Sequence, residues 1–222
     1  MTQDDKSLFD RADYAFVFGA AFARIHKRCE SLIKEIKENN LEINGNKIFL
    51  VCGLREVPFE FNEESQQYSV KKSSVDYSSV SGNSDYESLL AEFEKSDLFQ
   101  KYAHESSSDS SKKMLGEHVI GEFICKKILE IHGIEIHLLK DSKKSADYHR
   151  SDTKTNSHRI FNKIFSDLES EPKSADTSDL KKVLFVFNNP HSKRMFIDAS
   201  NILETDFTES NLSIEMSYTI ST

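Results

Sequence analysis

Two short apolar runs, each halted by a glycine and separated by one amphipathic helix, constrain this chain more than anything else in it. The first, Tyr14, Ala15, Phe16, Val17 and Phe18, stops at Gly19; the second, Ile48, Phe49, Leu50, Val51 and Cys52, stops at Gly53. Unbroken apolar runs of this length read as strands buried on both faces. Between them Phe22, Ile25, Cys29, Leu32, Ile33 and Ile36 recur at helical spacing over about 20–40, with the charges on the other side. Strand, glycine, helix and strand in that order make a βαβ unit, and such a crossover implies parallel strands.

The same grammar returns later in the chain. Val119, Ile120, Phe123, Ile124, Ile128, Leu129 and Ile131 mark a helix over 116–132, which Gly133 is placed to end. A strand over 134–139 and a polar loop over 140–151 follow. Asp152 or Thr153 can cap the next helix, whose Ile160, Phe161, Ile164, Phe165 and Leu168 share one face. The run at 183–187 is a further buried strand, leading through Asn188, Asn189, Pro190 and His191 into a helix that reaches about 204. Alternation of Leu212, Ile214, Met216 and Tyr218 predicts an edge strand over 212–218. The expected fold class is α/β: one domain with a mostly parallel sheet of about five strands, covered by helices on both faces in three layers.

One interval breaks the pattern. From 57 to 113 serine, acidic residues and lysine dominate, and apolar residues gather only around Leu89 to Phe99. Alone, such a composition buries too little surface to offset roughly 1–2 kcal/mol of backbone ordering per residue. The expectation is an inserted, partly disordered segment, a lid or a tolerated insertion, with one helix near 85–102 docked through Leu89, Leu90, Phe93 and Leu98.

Charge and cysteine content exclude several functions. Acidic residues number 37 against 29 basic, a formal net charge of −8, which disfavours nucleic acid as a partner. No apolar run approaches the ~18 residues of a membrane span, so no span is expected. The opening residues are acidic where a signal peptide is basic and then apolar, and the expected location is cytoplasmic. Cys29, Cys52 and Cys125 form no CxxC pair and read as reduced core thiols. Neither HExxH, GxGxxG after the first strand, GxSxG nor a Walker lysine loop occurs, so no metal and no standard dinucleotide site is expected.

In open parallel sheets ligands bind beyond the carboxyl ends of the strands, where helix N-termini present unpaired N–H groups. That rule selects Gly19 and Ala20 after the first strand, then Arg24 and Arg28, four apart on one helix face. It selects Gly53 and Arg55 after the second, Asp152, Thr153 and Asn156 after the third, and Asn188, Asn189, His191 and Arg194 after the fourth. The stretch 140–163 holds seven Lys or Arg against three Asp, a basic patch in an acidic chain that suits a small anionic ligand.

Taken in order, these residues resemble the YdcF-like family, which includes the SanA and ElyC envelope proteins. The resemblance rests on Phe18-Gly19-Ala20-Ala21-Phe22-Ala23-Arg24 and Val51-Cys52-Gly53, on Gly116-Glu117 opening a helix, on Thr153-Lys154-Thr155-Asn156, and on the strand that leads to His191 and Arg194. Leu54 stands where members usually carry a second glycine, and Thr155 where they carry a glutamate. The resemblance implies a Rossmann-like fold of the soluble branch, a nucleotide-like ligand such as S-adenosylmethionine, and a link to envelope polysaccharide or lipid-carrier metabolism. With it Glu117 and His191 become the candidate catalytic pair. Gly19, Ala20, Arg24, Gly53, Thr153, Asn156, Asn188 and Arg194 become the candidate ligand-binding set.

Overall fold

The computed structural model describes residues 10–19, 22–52, 56–71, 84–107, 114–139, 153–170, 180–188, 192–207 and 213–221. The chain begins with β1 (Arg11–Ala12), β2 (Tyr14–Phe18), α1 (Phe22–Glu38), β3 (Glu42–Ile43) and β4 (Lys47–Val51). The serine-rich interval carries β5 (Glu56–Asn62), β6 (Gln67–Val70), α2 (Ser84–Lys95), α3 (Asp97–Ser107) and β7 (Met114–Gly116). Then come α4 (Glu117–Leu129), β8 (Glu135–Leu139), α5 (Thr153–Ser170), β9 (Leu180–Asn188), α6 (Ser192–Asp206) and β10 (Ser213–Ser221).

Five strands make one sheet in the order β10-β9-β2-β4-β8, and every neighbouring pair is parallel. Counted along the chain and read from β8, the order is 3-2-1-4-5, that of a Rossmann-type sheet. The sheet divides two cores. On one face Ala15, Val17, Ile48 and Leu50 pack with Ile25, Cys29 and Leu32 of α1 and with Val119, Ile124 and Cys125 of α4. On the other, Phe16, Phe18, Phe49, Val51, Phe185 and Phe187 pack with Ile160, Phe161 and Ile164 of α5 and Ala199 and Ile202 of α6. The alternation of small aliphatic and aromatic residues along β2 therefore sorts the two layers, because successive side chains leave a strand on opposite faces.

All five expected strands are present, within a few residues of their expected ends. The helix expected at 116–132 is α helix only to Leu129. A 3-10 turn, Glu130–His132, completes it, and Gly133 ends it at φ 73°, a left-handed conformation that glycine adopts without a Cβ penalty. At the edge, β10 is tied to α1 by Thr219 Oγ1, which donates to Glu35 Oε1 over 2.9 Å.

The inserted segment departs most from expectation. The single helix expected near 85–102 is two, α2 and α3, broken at Ser96. Ser96 is the reason: its hydroxyl donates to the Phe93 carbonyl at 2.6 Å and accepts from Phe99 N–H at 3.2 Å, capping the new helix. A three-stranded antiparallel sheet, β6-β5-β7, accompanies them. The expected docking stripe holds, with Phe93 buried between Phe22 of α1 and Phe123 of α4 at ring-centroid distances of 5.9 and 5.1 Å. The disorder expected over 57–113 falls partly on 72–83 and 108–113, outside the described residues.

Candidate functional site

At the carboxyl edge of the sheet, the central strands β2 and β4 end side by side, with Phe18 opposite Val51 and Gly19 N–H donating to the Val51 carbonyl at 2.6 Å. Where parallel strands stop, their last carbonyls lose ladder partners and must find other donors. Two arginines supply them, one from each helical layer. Arg28 of α1, 6% exposed, donates through Nη1 to the Phe18 carbonyl and, over 2.9 Å, to that of Gly19. Arg159 of α5 donates to the Cys52 carbonyl at 3.2 Å and to Asn156 Oδ1 at 3.3 Å.

Two further buried polar residues complete the cluster. Glu117 opens α4 directly after β7, so its carboxylate sits in the first helical turn, where the helix dipole favours a negative charge. It is 6% exposed, and its charge acts on both Arg28 and Cys52. Burial lowers the Arg28 pKa to about 10, and Glu117 opposes the fall. Burial and then Glu117 push the Cys52 thiol well above its ordinary value, against the pull of Arg28 and Arg159. Cys52 is therefore a packed thiol that is protonated near neutral pH. Asn156 and Ser157, the fourth and fifth residues of α5, are also buried.

Packing here leaves little slack. A Cβ on Gly19 would stand 2.9 Å from Cys52 Sγ and 3.1 Å from both Cys52 Cα and the Val51 carbonyl. One on Gly116 would strike the ring of His118, at 2.4 Å from Nδ1. That ring stands edge-on to Tyr102 of α3, with centroids 5.7 Å apart, so the insertion touches the turn that carries Glu117. The insertion also enters and leaves here, for β5 and β7 pair Glu56 with Gly116 at its neck.

Of the expected site residues, Gly19, Glu117 and Asn156 join this cluster. Arg24 is exposed, and its charge reaches Arg28. The inward guanidinium of this helix is Arg28, which the candidate set omits. Arg194, in the first turn of α6, is 83% exposed and faces Asp198 at 3.7 Å. Thr153 opens α5 and Asn188 ends β9, while Ala20, Gly53 and His191 lie outside the described residues.

Arg28, Cys52 and Arg159 are the members that sequence reasoning left out of the candidate set. Arg28 carried a signal, standing with Ile25, Cys29 and Leu32 on the apolar stripe of its helix. Among the described residues no helix is long and apolar enough to cross a membrane. Comparison of the chain with protein-family models, with curated proteins and with solved structures finds no match in any of the three.

Proposed function

We propose that this chain binds a small anionic, nucleotide-like molecule at the carboxyl edge of its five-stranded sheet, as a divergent relative of the YdcF-like proteins. The observation that carries the reading is the pair of arginines, Arg28 and Arg159, that reach the ends of adjacent central strands from opposite layers. Two guanidinium charges beside the first turns of α4 and α5 make a positive field in a chain whose net charge is negative. In a Rossmann-type sheet the crevice lies where the connections diverge, here between β2 and β9.

In an enzyme of this design Glu117 and His191 exchange protons with a phosphate- or sugar-containing metabolite during transfer or hydrolysis. A second reading, binding without chemistry, is favoured by one specific feature: the charge of Glu117 acts on Arg28, an arrangement that serves the fold before any substrate arrives.

Thermal-shift measurements with nucleotides, sugar nucleotides and S-adenosylmethionine test both readings. A ligand at one hundred times its Kd adds about 2.7 kcal/mol of stability, a shift of several degrees for a chain of this size. The shift should shrink in Arg159→Ala and Arg194→Ala. Turnover that disappears in His191→Ala or Glu117→Gln favours the enzyme, and stabilisation without turnover favours the binding module. A folded wild-type chain that no ligand class stabilises would sink the proposal.

A further inference from the structure

Behind the sheet edge, α1 packs against α4, and their contact contains two thiols. Cys29 Sγ lies 3.6 Å from Cys125 Sγ, and neither residue has exposed surface. Both are free, within the apolar cluster that holds Ile25, Leu32, Val119 and Leu129. The third thiol, Cys52, occupies a different niche at the strand end, beneath Gly19 and Gly121. Two sulfurs on adjacent helices need only close from 3.6 Å to about 2.05 Å to bond.

We propose that Cys29 and Cys125 are a latent disulfide, a modification site at which hydrogen peroxide cross-links α1 to α4. One sulfur, having lost its proton, attacks a peroxide oxygen. The O–O bond breaks, a sulfenic acid forms, and the departing hydroxide takes up a proton and leaves as water. The second sulfur then attacks the sulfenic sulfur, the S–S bond forms, the S–O bond breaks, and a second water leaves with the second thiol proton. Two thiols give up two electrons and two protons, and one peroxide becomes two waters.

The link joins residues 96 apart and closes a loop holding β4 and the whole insertion, so it constrains the unfolded chain strongly. It also carries a signature that distinguishes native geometry from chance pairing. Loop-closure entropy in an unfolded chain favours the cysteines nearest in sequence, Cys29 and Cys52, whereas the folded contact selects the pair farthest apart.

The test adds hydrogen peroxide to the folded full chain, with prolonged exposure because a hydrogen bond to Cys29 and burial hold the Cys125 thiol well above its ordinary pKa. Free thiols are then trapped with iodoacetamide in denaturant, and the protein is digested without reductant for mass spectrometry. The expected product is a peptide linking Cys29 to Cys125, with Cys52 alkylated and a raised Tm that dithiothreitol reverses. The Cys52→Ala chain should give the same link, and the urea-unfolded chain should give mostly Cys29–Cys52. A native product dominated by any bond to Cys52 would overturn the proposal. So would sulfinic acid at either residue without the link, or no thiol loss under conditions that fully oxidise the unfolded chain.

Discussion

The guanidinium of Arg28 lies 2.9 Å from the carbonyl oxygen of Gly19, so a buried charge holds the carboxyl end of β2 from beneath. Replacing it by methionine removes the donor to two carbonyls and leaves Glu117 buried without its nearby cation. Arg28→Met should cost roughly 3–5 kcal/mol in urea unfolding. Adding Glu117→Gln should recover part of that loss, because the two residues are coupled. A cost near zero would show that the pair does not hold this edge together.

Gly19→Ala and Gly121→Ala should separate backbone from side-chain crowding. The Gly19 position meets Cys52 Sγ at 2.9 Å and, at 3.1 Å, the backbone of Cys52 and Val51, which cannot yield, whereas Gly121 meets the side-chain ends of Leu50 at 2.9 Å, Ile25 at 3.0 Å and Cys52 at 3.3 Å. Both should destabilise, by about 1–3 kcal/mol. Cys52→Ala removes the nearest contact of Gly19→Ala, at 2.9 Å, but only the third of Gly121→Ala, at 3.3 Å, so it should relieve Gly19→Ala more in chemical denaturation; equal relief would contradict the geometry.

The thiols fix the alkaline limb of the stability profile. An unfolded cysteine loses its proton near its ordinary value of 9.0, while folded Cys52 keeps its proton well above that. Above that point the native state binds more protons than the unfolded one, so stability is full below it and falls as pH rises. Urea unfolding between about pH 7.5 and pH 10 should therefore show a decline that is shallower in Cys52→Ala. An equally steep decline in the variant would assign the effect elsewhere.

Gln100 closes the open edge of the insertion's sheet. Its side-chain amide accepts from Tyr68 N–H at 3.2 Å and donates to the Tyr68 carbonyl at 3.1 Å, as a neighbouring strand would, while Glu94 accepts from Val70 N–H at 2.9 Å. Gln100→Ala should raise amide exchange at Tyr68 about tenfold, the effect of losing about 1.4 kcal/mol, and leave the parallel sheet unchanged. Exchange that rises equally in β2 and β9 would mean that the insertion and the sheet unfold as one unit.

The parallel sheet was legible because each of its inner strands is apolar without interruption, and Tyr14 to Phe18 and Val183 to Phe187 leave no other reading. Two things hid the insertion's strands. Val57, Phe59 and Phe61 alternate as a strand should, but Pro58 argues against one; it is tolerated because β7 pairs with β5 only up to Pro58 and β6 only from Phe59 onward. The segment's own composition is too polar for a core, yet Phe93 finds one against Phe22 and Phe123 outside it and Phe99 packs on Phe93, which a segment-by-segment reading cannot see. At the site, Asn156 followed from its position at a helix start, and Glu117 from the family resemblance. The rule that picks Arg24 picks Arg28 too, and only the carbonyls that Arg28 serves show which of the two turns inward.

The order β10-β9-β2-β4-β8 puts the earliest of the five strands at the centre of the finished sheet, with Tyr14 paired to Val183. A ribosome therefore completes β2 long before its second neighbour exists. Until α5 and β9 emerge, Tyr14, Phe16, Phe18 and Phe49 form an aromatic face with no layer over it. Contacts that span so much of the chain make folding slow and leave a nascent chain prone to aggregation. The aromatic core that secures the mature protein is thus the surface that stays uncovered longest during its synthesis.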